Sequence, residues 1–379
     1  MHIGLVRRDF RLYGGAERFT ARFLEALRRH GEEVTLIARR WEGLPSDVRV
    51  VRVPVISGGA ALRTLSFALF SAHRARRLSL DLVHSFDRIL QQDLYRAGEG
   101  VHREWLRRRR AHLPRLTTLL DPLRPMHRVI LALERRIFQQ GGARLIVANS
   151  EQVASEIAQH YAPLSAPVRV VRNGVDLEHF HPSERTRLGP AMRARLGVGE
   201  AEPVLFFLGS GFTRKGLGPL LLALGRLPAR RRRPYLLVAG KGRTEPYLAL
   251  ARRLGIEPRV RFLGVVADPL PLYAAADAFV LPSLYDPSSN ACLEAMAVGL
   301  PVITTRANGA SELIEDGREG WVVDDPQDVQ GLADRLRRLE DPGRVEMGRR
   351  ARARVEAYPW DRHLQEILAL YSSLALPPR

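Results

Sequence analysis

The chain has 379 residues, 45% of them hydrophobic and 26% charged, with a formal net charge of +18. This length exceeds one ordinary domain and suits two of roughly 150–190 residues. The balance of residues is that of a globular protein in water, and no apolar run approaches the roughly 18–20 residues of a membrane span.

The opening residues, MHIGLV, read as a buried strand rather than a signal peptide. The single cysteine, Cys292, excludes an internal disulfide and fits a reducing, cytoplasmic compartment. Positive charge is carried almost wholly by arginine, the two lysines being Lys215 and Lys241. Arginine and lysine serve equally on a solvated surface, so the arginine excess needs no functional cause. The two lysines that remain, however, each stand in a glycine-flanked loop.

From residue 1 onward, apolar runs bounded by turn residues alternate with helical patterns, the signature of a parallel α/β sheet. After the first strand a helix is predicted at about 16–30, with Phe19, Phe23, Ala26 and Leu27 on one face and Gly31 as its stop. Strand candidates follow at VTLIA, VRVVRVPVI, DLVHSF and RLIVANS, and Ser150 reads as the N-cap of the next helix. VRNGVDLEHFHP carries loop chemistry and closes this half. The second half restarts with PVLFFLGS, YLLVAGKG, VRFLGVV, AFVLPS, PVITT and GWVVDD, six strands with five intervening helices. Two amphipathic stretches, about 342–357 and 361–374, end the chain. The expected division is 1–175, 176–358 and a returning C-terminal helix at 359–379. Doubly wound domains bind ligands outside the carboxyl ends of their strands, so the loops after each strand are where chemistry is sought.

LYGGAER follows the first strand. Gly14 and Gly15 allow close approach of a ligand to a helix N-terminus, although the pair serves equally as a structural turn. FLGSGFTRKGL is more specific: three glycines bracket Arg214 and Lys215, a planar fork beside a point charge, which suits a diphosphate. The spacing is not that of the nucleotide-binding GxxxxGK[ST] loop. VAGKGRT repeats the arrangement one strand later around Lys241. In YDPSSNACLEAMAVGLPVITT, Asp286 falls in a loop and Glu294 in a short helix stopped by Gly299. A serine or asparagine at 288–290 would cap that helix and leave the N–H groups of Asn290, Ala291 and Cys292 for a phosphate. Two carboxylates in so basic a chain suit hydroxyl-rich partners such as ribose and hexose.

These pieces together resemble the family 4 retaining glycosyltransferases of the GT-B fold, from the first strand to the C-terminal helices. The last stretch looks like the family's Glu-x7-Glu motif with Asp286 in the first place, and GSGFTRKG is most like the lipopolysaccharide core glucosyltransferases. The resemblance implies two Rossmann-like domains facing across a cleft, with C-terminal helices packing back on the N-terminal domain. It implies that Glu294 binds the ribose of a nucleotide sugar, that Asp286 contacts the transferred sugar, and that Arg214 and Lys215 hold the diphosphate. In RAGEGVHREW it places Glu99 or His102 beside the reacting sugar, where surface charge is an equal reading. His84 reads as a packed or capping histidine.

The expected reaction is hexose transfer, glucose from UDP-glucose in the first instance, with retention and without a metal or other cofactor, since no D-x-D pair is present. Its acceptor would be a lipopolysaccharide core or another anionic glycolipid or glycan. The segment 103–136, with Arg107 to Arg110 among aromatic and leucine residues, suits an anionic membrane surface, an acceptor bearing phosphates, or plain solvent. Arg230 to Arg233 read as an exposed loop. Two rival readings remain: a nucleotide-sugar epimerase of the same architecture, for which no convincing acid/base set is found, and a nucleic-acid-binding protein. Charge alone speaks for the latter, and no nucleic-acid partner is expected.

Overall fold

The computed structural model describes all residues except 11–14, 113, 115–117, 120, 122–123, 229–232 and 376–379. Gly14 and Arg230 to Arg232 therefore lie outside the described residues. The chain forms two compact units, Met1–Arg172 with Asp361–Arg379, and Asn173–Trp360.

The first unit contains, in order, β1 (His2–Val6), β2 (Asp9–Phe10), α1 (Gly15–Arg29), β3 (Glu33–Ala38), β4 (Arg40–Trp41), β5 (Arg49–Arg52), α2 (Ala60–Arg76), β6 (Leu82–Ser85), β7 (Gln92–Arg96), α3 (His102–His112), α4 (Pro125–Gln139), β8 (Ala143–Ala148), α5 (Glu151–Tyr161) and β9 (Val168–Val170). Its main sheet is seven-stranded among the described residues, parallel, in the order β5-β3-β1-β6-β7-β8-β9. Strand β5 stops before the end of the apolar run VRVVRVPVI, where Pro54 has no N–H to continue the ladder. Phe19, Phe23 and Leu27 of α1 are buried, and the Ser150 side chain caps α5 by accepting from Val153 N–H at 3.2 Å.

The second unit runs α6 (Ser183–Arg195), β10 (Val204–Leu208), α7 (Leu217–Gly225), β11 (Tyr235–Ala239), α8 (Glu245–Arg253), β12 (Val260–Gly264), α9 (Leu270–Ala275), β13 (Ala278–Leu281), α10 (Asn290–Ala297), β14 (Val302–Thr305), β15 (Gly320–Val323), α11 (Val329–Arg337) and α12 (Arg344–Val355), before α13 (Trp360–Ala375) begins. Its parallel sheet has the order β12-β11-β10-β13-β14-β15. Adjacent Phe206 and Phe207 point to opposite faces of β10 and are both fully buried, so helices cover the sheet on both sides. Between β14 and β15 the expected helix is instead a 3-10 turn, Gly309–Leu313. Glycines at 309 and 317 and the Asn308 cap on Ala310 N–H (3.1 Å) favour turns over a sustained helix.

The C-terminal helix belongs to the first unit. Leu364, Ile367 and Tyr371 of α13 are buried there, the Tyr371 hydroxyl lies 2.5 Å from His84 Nδ1, and His363 Nδ1 donates to the Arg172 carbonyl at 2.8 Å. His84 is thus a packed histidine, stacked on Phe86 at 4.5 Å between ring centres. Burial and the nearby Arg96 hold the His363 imidazole at a pKa of about 3, and burial with Arg96 and His363 puts His84 well below its ordinary value. Both are neutral when folded, while the unfolded chain takes up protons below about 6.5. Their contribution is therefore complete above that pH and is lost as pH falls below it. Thermal unfolding should lose up to about 1.4 kcal/mol per pH unit per histidine between pH 6.5 and 5, and His363→Gln should make that slope shallower. An unchanged slope would contradict the assignment.

Candidate active site

In both units the strand order reverses at one place, between β1 and β6 in the first and between β10 and β13 in the second. Loops leaving two neighbouring strands in opposite directions open a crevice at such a point. In the second unit these loops are 209–216 and 282–289, the glycine-cation loop and the acidic loop.

Backbone bonds hold the loops together. Leu284 N–H donates to the Arg214 carbonyl at 2.8 Å, Gly211 N–H to the Lys241 carbonyl at 2.9 Å, and Lys241 N–H to Ser210 Oγ at 3.2 Å. Gly216, the N-cap of α7, has φ 78°, and a Cβ there would stand 1.8 Å from the Pro282 carbonyl oxygen. Only a residue without Cβ lets the cation loop lie this close to the end of β13. The left-handed conformation alone costs about 1–2 kcal/mol for alanine, and the clash adds to it. Gly216→Ala should therefore lower the melting temperature by at least about 3 °C for a domain of this size, as read by thermal denaturation. No change would mean that the loop rearranges freely.

Lys215 and Asp286 meet as a buried ion pair. Burial lowers the Lys215 pKa and Asp286 opposes that shift. The carboxylate expected on a sugar is thus bonded to a cation expected on phosphate. Arg214 beside it is half-buried and, among the described residues, has no ion pair, while Lys241 is exposed one loop away. Asp286 is pinned through its backbone: its N–H donates to the Ala307 carbonyl and its carbonyl accepts from Gly309 N–H, both at 2.9 Å.

Glu294 lies on α10, half-buried, and Oε2 accepts from the Tyr273 hydroxyl at 2.9 Å. Tyr273 is fully buried on α9 with its ring edge-on to Phe206 at 4.9 Å, and its hydroxyl also reaches the Ala291 carbonyl at 3.0 Å. At the start of α10 the expected cap differs. Ser289 occupies the N-cap position without a side-chain cap bond, and its own N–H donates to Asn308 Oδ1 at 3.2 Å. Asn290 Oδ1 accepts from Asn173 Nδ2 at 2.7 Å. Cys292 N–H, expected to meet a phosphate, is already bonded to the Ser289 carbonyl at 3.1 Å, and its thiol is buried and pushed up to about 12 by that burial. Cys292 is thereby a packing residue. Tyr273 and Asn308 carry no motif signal, and Asn173 stands in VRNGVDLEHFHP, read only as loop; each supports a group of the motif.

In the first unit, Gly15 opens α1 directly after the undescribed Gly14. The loops after β1 and β6 bring Arg7, Arg8, Asp87 and Arg88 to the crevice edge of this sheet. Loss of surrounding water would raise the pKa of the half-exposed Glu99 carboxylate, but Arg88, whose Nη1 holds it at 3.0 Å, with Arg7 and Arg8 nearby, lowers it. His102 begins α3, and its Nε2 lies 2.9 Å from His127 Nδ1. Burial, then Arg88 and His127, bring its pKa to about 3, so it is neutral at pH 7 and a feeble base. A buried carboxylate missed in the sequence, Glu134, organises this corner. It accepts from Arg88 Nε at 3.1 Å, from His102 N–H at 2.6 Å and from the Tyr161 hydroxyl at 2.7 Å. Of the Arg107–Arg110 run, Arg107 and Arg108 are bonded to buried Glu104 and Arg109 to buried Asp121. Burial alone would raise the Glu104 pKa, but hydrogen bonds from Arg107, His160 and Arg108 pull it down to about 2.

Comparison with known proteins agrees with this architecture. Residues 13–179 match the family described as Glycosyltransferase Family 4, and residues 202–341 that described as Glycosyl transferases group 1. The chain is 31% identical over 327 residues to the lipopolysaccharide core biosynthesis glycosyltransferase LpsE of Rhizobium meliloti (strain 1021), covering 84% of each protein. It is 26% identical over 344 residues to the lipopolysaccharide glucosyltransferase WaaG of Escherichia coli (strain K12), covering 90% of each. The crystal structure of WaaG aligns at a TM-score of 0.86 and 24% identity over 97% of this chain and 99% of that one. That of Anabaena HepE in complex with UDP-glucose aligns at 0.73 and 22%, over 98% and 100%. The two doubly wound sheets, the cation and acidic loops at the switch point of the second, and a relative 31% identical over most of both chains have one reading: the chain belongs to glycosyltransferase family 4, with the GT-B fold.

Proposed function

We propose that this glycosyltransferase moves a hexose, glucose in the first instance, from a nucleoside diphosphate sugar to a lipopolysaccharide core or another anionic glycolipid or glycan, with retention at the anomeric carbon. The observation that carries the reading is the meeting of the Arg214–Lys215 loop with the Asp286 loop, beside the helix bearing Glu294. Two relatives named for lipopolysaccharide glycosyl transfer and a neighbour solved with UDP-glucose support the acceptor class and the donor.

Glu294, steadied by Tyr273, accepts hydrogen bonds from the ribose hydroxyls. Arg214, Lys215 and Lys241, with the N-terminal N–H groups of α10 at Asn290 and Ala291, balance the diphosphate, so that charge developing on the leaving group meets fixed positive groups rather than a metal. The bond from the anomeric carbon to the phosphate oxygen breaks, the acceptor oxygen bonds to that carbon from the same face, and the acceptor proton passes to the departing diphosphate. Gly15 at the start of α1 is assigned to the donor, and Glu99 and His102 to the reacting sugar, His102 as a neutral hydrogen-bonding group. The decisive experiment is a donor screen with UDP-, GDP- and ADP-hexoses. Release of UDP from UDP-glucose, stimulated by a lipopolysaccharide core acceptor, is the expected result; no turnover with any donor would overturn the reading.

The enzyme works at the inner face of the cytoplasmic membrane in this proposal. Among the described residues no helix is long and apolar enough to cross a membrane. Arg103, Arg107 and Arg110 are the exposed arginines of α3, and Arg107 is paired with Glu104. At roughly 1 kcal/mol per surface cation, α3 supplies a weak, salt-sensitive attraction. Flotation with liposomes should depend on anionic lipid and weaken with salt; indifference to lipid charge would remove the membrane from the proposal.

A further inference from the structure

Lys215 and Asp286 come from opposite sides of the switch point, 71 residues apart in sequence, and their side chains are only 10% and 7% exposed. Neither is free to wander. The lysine stem lies across Gly209, where a Cβ would come within 2.9 Å of Lys215 Cγ. The backbone of Asp286 is fastened on both sides, to Ala307 and Gly309. Between these two, Asn308 is fully buried and holds Ser289 N–H, Ala310 N–H and the Thr304 hydroxyl, the last at 3.0 Å. An aspartate fastened in this way presents its carboxylate to the ammonium, and a buried ammonium without a counter-charge is strongly disfavoured.

We propose that Asp286 is a positioning residue that acts through Lys215, keeping its ammonium protonated and fixed for the diphosphate, rather than a group that reads the transferred sugar. The inference rests on the donor reading given above and assigns a different duty within that site. The charged and titratable groups facing Lys215 are Asp286 from the loop after β13, Arg214 from its own loop and Cys292 from α10. Burial and Arg214 lower the lysine's pKa, Asp286 is the leading opposing influence, and the Cys292 thiol is neutral below about pH 12. Removal of the aspartate charge therefore lets Lys215 lose its proton at lower pH.

A nucleoside diphosphate without its sugar separates the two duties. Titration calorimetry of the full chain with UDP, between pH 6 and 9, compares wild type with Asp286→Asn and Asp286→Glu. The expected result is UDP binding weakened about tenfold or more at pH 8.5 in Asp286→Asn and by less at pH 6, with Asp286→Glu close to wild type, since loss of the lysine charge costs a charge-assisted phosphate contact. Lys215→Arg placed in the Asp286→Asn protein should restore the pH dependence of wild type, because a guanidinium does not titrate in this range and only the ionisation of UDP remains. UDP affinity that is unchanged, or tighter, in Asp286→Asn at every pH would overturn the proposal and return Asp286 to the sugar. Where Asp286→Asn does not fold, Gly209→Ala displaces the lysine stem without altering Asp286; weakened UDP binding is then expected, and unchanged binding overturns the proposal. Wild type that binds neither UDP, GDP nor ADP would instead defeat the donor reading.

Discussion

Glu294→Ala is expected to reduce glycosyl transfer by about two to four orders of magnitude while leaving the fold intact. The magnitude follows from hydrogen bonds to a charged acceptor, roughly 1.5–3 kcal/mol each, lost from two ribose hydroxyls. The fold survives because α10 is anchored by its buried residues Leu293, Ala295 and Met296, whereas Glu294 is half-buried and accepts from the Tyr273 hydroxyl. Tyr273→Phe is the informative companion. It keeps the ring packed against Phe206 and removes only the hydroxyl, so the donor KM should rise about tenfold or less with kcat little altered. Steady-state kinetics against the donor, with circular dichroism as the folding control, decides both. Near-normal turnover in Glu294→Ala would remove the acidic motif from the donor site.

The second large effect is on stability. Glu134→Ala should destabilise the first unit by about 3–5 kcal/mol, because a buried cation that loses its partner keeps its desolvation cost. Among the described residues Arg88, whose side chain is 9% exposed, would retain the Glu99 carboxylate and the Gly100 carbonyl. The N–H of His102 and the hydroxyl of Tyr161 would also lose an acceptor. Glu134→Gln, which keeps the shape and some of the hydrogen bonds, should cost less. Denaturant unfolding that places both variants within about 1 kcal/mol of wild type would show that water replaces the carboxylate, contrary to its complete burial.

Much of the architecture is legible in the chain because its signals are local. Strands buried on both faces read as continuous apolar runs, as in VLFFL and AFVL, and glycine and proline mark where they end. Misreadings have equally local causes. Pro54 shortens a strand whose apolar run continues past it, and glycines with an asparagine cap turn an expected helix into a 3-10 turn. In the candidate site the glycine-cation loop and the acidic helix are visible in the sequence, since loops at strand ends must carry glycine where backbones touch and charge where an anion is met. Their supports are not visible. Glu134 stands in LALERRIF, where it reads as one more acid on a charged helix, and Tyr273 lies in an alanine-rich stretch that reads as core.

The sequence by itself therefore determined the class of fold, the family and the loops in which the donor chemistry is sought, because periodicity, turn chemistry and motif spacing are properties of neighbouring residues. Only the tertiary structure decided which charges face one another. The strand order β10-β13 puts Lys215 against Asp286, and α9 delivers the Tyr273 hydroxyl to Glu294. Such pairings depend on which strands become neighbours, and spacing along the chain does not record it. A carboxylate in the acidic loop could equally meet a sugar, a phosphate-binding cation or water. The fold sets that carboxylate, buried, beside Lys215, where an ammonium withdrawn from water needs a counter-charge within the protein.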